Sequence, residues 1–295
     1  MDGERRNVIA RFPIIWYFVF AIAGAWLVWL PWNLSRNDWG VLPYSIEGDT
    51  TPFMAVSTFV GPTLSALIVS AAIGGGREVV RFLKRFLIWR VGWGWWAIAL
   101  LGLPVFATIG ALLTPGVAAS FAPLADPGGV LLGSVVFFFW PALVIGGPLG
   151  EEPGWRGFAQ PRMSDRLGPL AGTLVLGVVW GVWHSTIWTS GDWTEPTWQN
   201  MVAHTVWLAI VSVFYAWVYH RTGGSILIAI VIHAAMDAFP NAILFPMFPA
   251  LGTMTEWGVL TAYIANLIGY GLLAILVIAF TRGRLGLPRG QAAPA

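Results

Sequence analysis

Charge is missing from long stretches of this chain. Phe12 to Ser35, Thr50 to Gly76, Val91 to Ala125, Pro127 to Gly150, Leu167 to Gly191, Pro196 to His220 and Trp257 to Thr281 contain no Asp, Glu, Lys or Arg. An eighth run, Thr222 to Thr255, is interrupted only by Asp237. Each run is long enough for the roughly 20 apolar residues that a membrane-spanning helix needs. The pattern predicts eight spans, at about 13–31, 53–73, 93–113, 129–150, 168–189, 202–220, 224–246 and 257–280. The expected fold class is an all-α polytopic membrane protein with eight transmembrane helices, organised as a single membrane domain over residues 1–295.

Composition agrees: 57% of the 295 residues are hydrophobic and 10% are charged. There is no cysteine, which excludes disulfides, thiolate chemistry and Cys-ligated metals. The net charge of +2 says little, but its distribution orients the chain. With eight spans, Arg5, Arg6 and Arg11, the group from Arg77 to Arg90, Arg156, Arg162 and Arg166, Arg221, and Arg282, Arg284 and Arg289 all fall on one side. Only Arg36 falls on the other, so both termini are expected in the cytoplasm. The apolar run from Phe12 to Leu30 is longer than a signal-peptide core and reads as a retained span. The basic, amphipathic segment "REVVRFLKRFLIWR" reads as a helix lying on the anionic inner leaflet. Trp93, Trp95, Trp96, Trp188, Trp193 and Trp198 sit near span ends, where indole rings favour the interface. The implied location is a multi-pass place in a membrane, the plasma (inner) membrane in a prokaryote. The partners implied are the bilayer and no nucleic acid.

Polar residues inside such spans are costly and therefore candidates for function. They are few: Glu151 and Glu152 in "GGPLGEEPGWRGF", His184, and His233 with Asp237. His233 and Asp237 are four apart and share a helix face. His184 shares a stripe with Gly177, Trp180 and Gly181, and the two glycines allow a second helix to approach closely. Residues 150–189 read as a helical hairpin turning at "SDRLGP", which returns His184 to nearly the depth of Glu151. Span four is then expected to continue past Glu152 as a broken helix. Pro148 and Pro153 interrupt its hydrogen bonding, and Glu152 pairs with Arg156 at i, i+4. Arg156 is a supporting rather than a catalytic residue on this reading. His204 and His220 lie near span ends and read as structural.

A carboxylate beside an imidazole can activate water, and a second imidazole can stabilise an oxyanion. That chemistry hydrolyses a peptide bond without a covalent intermediate and needs no cofactor. Two His and one Glu also form a catalytic zinc set, so a divalent metal such as Zn held by Glu151, His184 and His233 stays open. The short zinc-protease signature H-E-x-x-H is absent. Two other classes compete: a proton-coupled transporter using Asp237, His233 and Glu151 as a relay, and a non-catalytic scaffold with a polar packing core. No repeat relates two halves of the chain, as it does in many transporters.

Three motifs in order resemble those of the CAAX protease and bacteriocin-processing family, which includes abortive-infection-like proteins. "EEPGWR" is similar to its EExxxR motif, "WGVWH" to its aromatic residue four before a histidine, and "HAAMD" to HxxxN or HxxxD. The similarity spans roughly residues 129–245, which would form the protease core. The resemblance implies an eight-helix intramembrane peptidase with a cavity open to the cytoplasmic side. In eukaryotic relatives that cavity removes the C-terminal tripeptide from prenylated CAAX proteins. Other members act in peptide maturation, self-immunity or regulation, so the implied partner is a peptide or protein, prenylated or not. Carried over, Glu151 and His184 would activate the water. His233 and position 237 would line the oxyanion site, with Glu152 and Arg156 in support. The departure is Asp237 where the eukaryotic pattern has Asn. An ionised Asp only accepts hydrogen bonds, so it would be protonated, or orient His233, or help to hold a metal.

Overall fold

The computed structural model describes residues 7–144, 147–188, 197–252, 256–288 and 290. Among these residues eight helices are long and apolar enough to cross a membrane. They are α1 (Pro13–Leu34), α2 (Thr51–Leu87), α3 (Trp93–Leu113), α4 (Pro127–Leu167), α5 (Pro169–Trp188), α6 (Trp198–Arg221), α7 (Ile226–Met247) and α8 (Leu260–Thr281). Each expected span falls on one of them. The chain is an all-helical, multi-pass integral membrane protein. Arg5, Arg6, Trp193 and Arg289, which entered the expected charge and interface pattern, lie outside the described residues.

Leu27, Leu101, Ile275 and Phe280 point outward and are largely exposed. Water would penalise a surface of this kind, whereas lipid tails do not. The inner faces are instead built from small residues and aromatics. Helix α7 is the axis of the bundle, and every residue from Ile228 to Met236 is buried. Burial of every side of one helix means that protein, and not lipid, surrounds it.

Two helices run well beyond their expected ends, and both extensions matter for the site. α2 is broken at Gly74 (φ −152°, ψ 23°) and Gly75 (φ 62°, ψ −152°). The positive φ at Gly75 is open to glycine and strained for other residues. The basic segment leaves the span at this break. It does not simply lie on the surface as expected: Arg85 is buried and donates to the Gly157 carbonyl and, at 2.8 Å, to the Tyr219 hydroxyl. An amphipathic pattern identifies the apolar face but cannot tell a lipid cover from a protein cover.

α4 continues past Glu152, as expected, through π-helical turns at Ser134–Phe139 and Pro153–Ala159. Every residue from Gly150 to Pro161 is buried, so this stretch lies inside the protein and not at a solvated lip. Broken helices at membrane depth need outside partners for their freed groups. Here Thr63 of α2 donates its hydroxyl to the Gly150 carbonyl at 2.6 Å. Gly168 (φ +83°) then closes the hairpin into α5.

α5 lies directly on α6. A Cβ at Gly177 would meet the Ala209 and Leu208 backbone, and one at Gly181 would meet Thr205. This is the close approach that the glycine pair predicted. Gly177→Leu is therefore expected to destabilise the fold by about 1–3 kcal/mol through overpacking. Gly271→Ala, where no atom lies within 4 Å, is expected not to lower stability. Thermal unfolding of both variants in detergent checks the difference.

Candidate active site

The two adjacent glutamates take opposite directions. Successive residues on a helix point about 100° apart, so neighbours cannot share a face. Glu151 lines a cavity of about 760 Å³, together with His184, His233, Asp237 and Trp180. Glu152 turns away from the cavity into the bundle and is fully buried. Four of the six candidate residues thus meet at the cavity, and Glu152 and Arg156 stand behind it.

The hidden layer is an ionic set centred on Glu152 Oε1. Glu152 Oε1 accepts from Arg156 Nη1 at 3.1 Å and from His233 Nδ1 at 2.8 Å. Arg156, also fully buried, is clamped between the rings of Trp180 and Tyr215, its Cζ 4.2 and 4.1 Å from their centroids. Its other amino group donates to Ser212 Oγ at 3.3 Å. A desolvated guanidinium needs such partners: a carboxylate, a hydroxyl and two aromatic faces offset what it loses on leaving water.

The cavity layer is ordered by the same tryptophan. Trp180 Nε1 donates to Glu151 Oε2 at 2.6 Å, and the Trp180 carbonyl accepts from His184 Nδ1 at 2.8 Å. A carbonyl can only accept, so His184 carries its hydrogen on Nδ1 and has Nε2 as its basic nitrogen when neutral. The Trp180 ring also meets His233 edge-on, with centroids 5.4 Å apart. Gly147, one turn before Glu151, keeps the front of the carboxylate open. A Cβ there would collide with Glu151 Oε1 and come within 3.2 Å of His233 Cε1.

His233 stands between two carboxylates. Its Nδ1 is used by Glu152, and its Nε2 lies 3.6 Å from Asp237 Oδ2. Asp237 is the more accessible of the two, with 35% of its side chain exposed. Among the described residues no group of three His, Asp or Glu side chains is arranged to hold a metal ion.

Sequence reasoning missed several participants. From sequence Trp180 is a member of the His184 stripe and the aromatic residue four before it, yet in the structure its carbonyl, indole and ring face organise four of the candidates. The signal was the i−4 spacing, which puts the Trp180 carbonyl beneath the imidazole. His204 was read as structural, but it lines the cavity, its ring 4.9 Å from that of His184. Trp188 was expected at the interface and is instead buried, 5.0 Å from the His204 ring. His220 does hold structure: its Nδ1 donates to the Leu285 carbonyl at 2.8 Å and pins the segment after α8.

Removing one partner of the buried set leaves an uncompensated charge. Arg156→Ala and Glu152→Ala are each expected to cost about 3–5 kcal/mol of stability. Glu151→Gln, which can keep its contact with Trp180, is expected to cost far less. Denaturation of the three variants side by side gives the comparison.

Residues 133–239, which contain all three motifs, match the family model described as type II CAAX prenyl endopeptidase Rce1-like. No curated protein sequence matches the chain.

Proposed function

We propose, from the match of residues 133–239 to the Rce1-like family of type II CAAX prenyl endopeptidases, which are hydrolases, that the chain is an intramembrane endopeptidase in which Glu151 and His184 activate the water. The observation that carries this reading is the cavity itself. Glu151, His184 and His233, from three helices, meet in it, while Glu152 and Arg156 lie behind them in the bundle.

In this mechanism the water sits between Glu151 and Nε2 of His184. Glu151 takes a proton as the water oxygen attacks the scissile carbonyl carbon. The resulting oxyanion is met by His233 carrying hydrogen on both nitrogens, one bound to Glu152 and the other turned to the cavity. Preorganised donors of this kind are the main source of stabilisation for such intermediates. The C–N bond then breaks, and the proton held by Glu151 passes to the leaving nitrogen. Asp237 orients His233 from the cavity side. The 3.6 Å separation from Nε2 supports that role among those open to an Asp at this position.

The substrate proposed is a lipidated protein C-terminus or a small peptide precursor. It enters from the cytoplasmic half of the bilayer, a side supported by the one-sided distribution of Arg and Lys.

Cleavage of a farnesylated CAAX reporter and of an unlipidated apolar peptide by the detergent-purified chain tests the reading. Glu151→Gln and His184→Ala are expected to lower kcat by about a thousandfold or more, with unchanged thermal transitions. Loss of stability without a specific loss of activity would favour a packing role for these groups. Trp180→Phe keeps the ring over Arg156 and removes only the donor to Glu151, so a fall in kcat of about ten- to a hundredfold is expected. Running each assay with and without a chelator reads metal dependence directly.

A further inference from the structure

The wall of the cavity has an unbalanced charge. Glu151 and Asp237 both line it, and none of its described lining residues is Lys or Arg. Arg156, the cation closest in the network, is fully buried and bound to Glu152. Counted together, the carboxylates Glu151, Glu152 and Asp237 face one guanidinium and one imidazole. With the three carboxylates ionised, the formal sum stays negative even when His233 is protonated. Asp237 is the carboxylate most open to a ligand, with 35% of its side chain exposed.

A second feature of the same cavity points to the same ligand. Its α6 and α8 side is aromatic, lined by Trp207, Tyr263 and Tyr270. The Trp207 ring stacks on Tyr270, with centroids 6.4 Å and planes 20° apart, and meets Tyr263 at 6.2 Å. Ring faces attract cations, and more strongly where water is excluded. A carboxylate and an aromatic wall in one low-dielectric cavity form a receptor for a cationic side chain.

Resting on the endopeptidase reading above, we propose that this cavity selects peptides carrying a Lys or Arg beside the scissile bond, with Asp237 as the residue that reads the charge. The same field disfavours a free carboxylate close to the cut. Three extended residues place a C-terminal carboxylate about 10 Å from the scissile bond. That is about one Debye length in physiological salt, and screening is weaker inside the bundle. A precursor cut inside its chain therefore fits this cavity better than a free C-terminal tripeptide does.

The test uses internally quenched Ala-Leu octapeptide amides, each carrying a single Arg, Gln or Glu scanned through every position. The detergent-purified full chain is expected to show kcat/KM about tenfold or more higher for the best Arg peptide than for its Glu counterpart. In Asp237→Asn that ratio is expected to fall towards one, whatever the absolute rate. The same peptides are titrated against Glu151→Gln and against Glu151→Gln combined with Asp237→Asn. Arg peptides are expected to bind about tenfold tighter than Glu peptides to the first and to lose that margin in the second. Equal rates and affinities for Arg and Glu peptides overturn the inference, as does binding of neither. Charge-selective binding with no cleavage by the wild-type chain overturns the endopeptidase reading and leaves the selectivity standing.

Discussion

A guanidinium sealed inside a membrane bundle constrains everything packed around it, and Arg156 is such a group. Its charge must be met by Glu152, its amino group by Ser212 and its faces by Trp180 and Tyr215. Those partners belong to α4, α5 and α6, and Glu152 extends the set to His233 on α7. One buried cation therefore fixes the relative placement of four helices. None of the four can shift without exposing a charge to hydrocarbon, where an unpaired ion is far less stable than in water. The contacts that hold the bundle are in this way also the contacts that aim the cavity side chains.

The break in α4 makes this arrangement possible. A regular helix would still separate Glu151 from Glu152 by direction, but the π turn from Pro153 to Ala159 begins immediately after them. Proline at its start removes a donor, and a neighbouring helix supplies a hydroxyl to the Gly150 carbonyl. Glycines clear the remaining space: Gly147 before the Glu151 carboxylate, and Gly177 and Gly181 where α6 closes on α5. Trp180 then links the layers, touching Arg156 on one side and binding Glu151 and His184 on the other. Structure and site are parts of one network, which is why the adjacent carboxylates can be assigned different work.

Much of this could be read in advance because the membrane imposes simple rules. Uncharged runs marked the spans, and the scarcity of polar residues within them marked Glu151, Glu152, His184, His233 and Asp237. The Glu152–Arg156 pair followed from helical spacing, and the α5–α6 contact followed from the glycine stripe. What escaped notice shares a physical character. His204 and Trp188 lie near the ends of their helices, where sequence position suggests an interface, yet both turn inward to the His184 side of the cavity. Arg85 sits in a basic amphipathic segment like many that rest on lipid, but a kink at Gly74 and Gly75 delivers it to Tyr219. Each depends on which way a chain turns after leaving its span, and local pattern carries no such information.

By itself the sequence determined the number of spans, the hairpin between α4 and α5, and the short roster of groups able to do chemistry. It could do so because hydropathy and helical periodicity act over a few residues and need no knowledge of neighbours. Only the tertiary structure decided that Glu151 faces the cavity while Glu152 anchors the bundle, that Trp180 joins them, and that Asp237 and an aromatic wall share one chamber. Those outcomes arise where side chains from helices far apart in sequence compete for the same buried hydrogen bonds, and only the packed bundle sets which partners each of them finds.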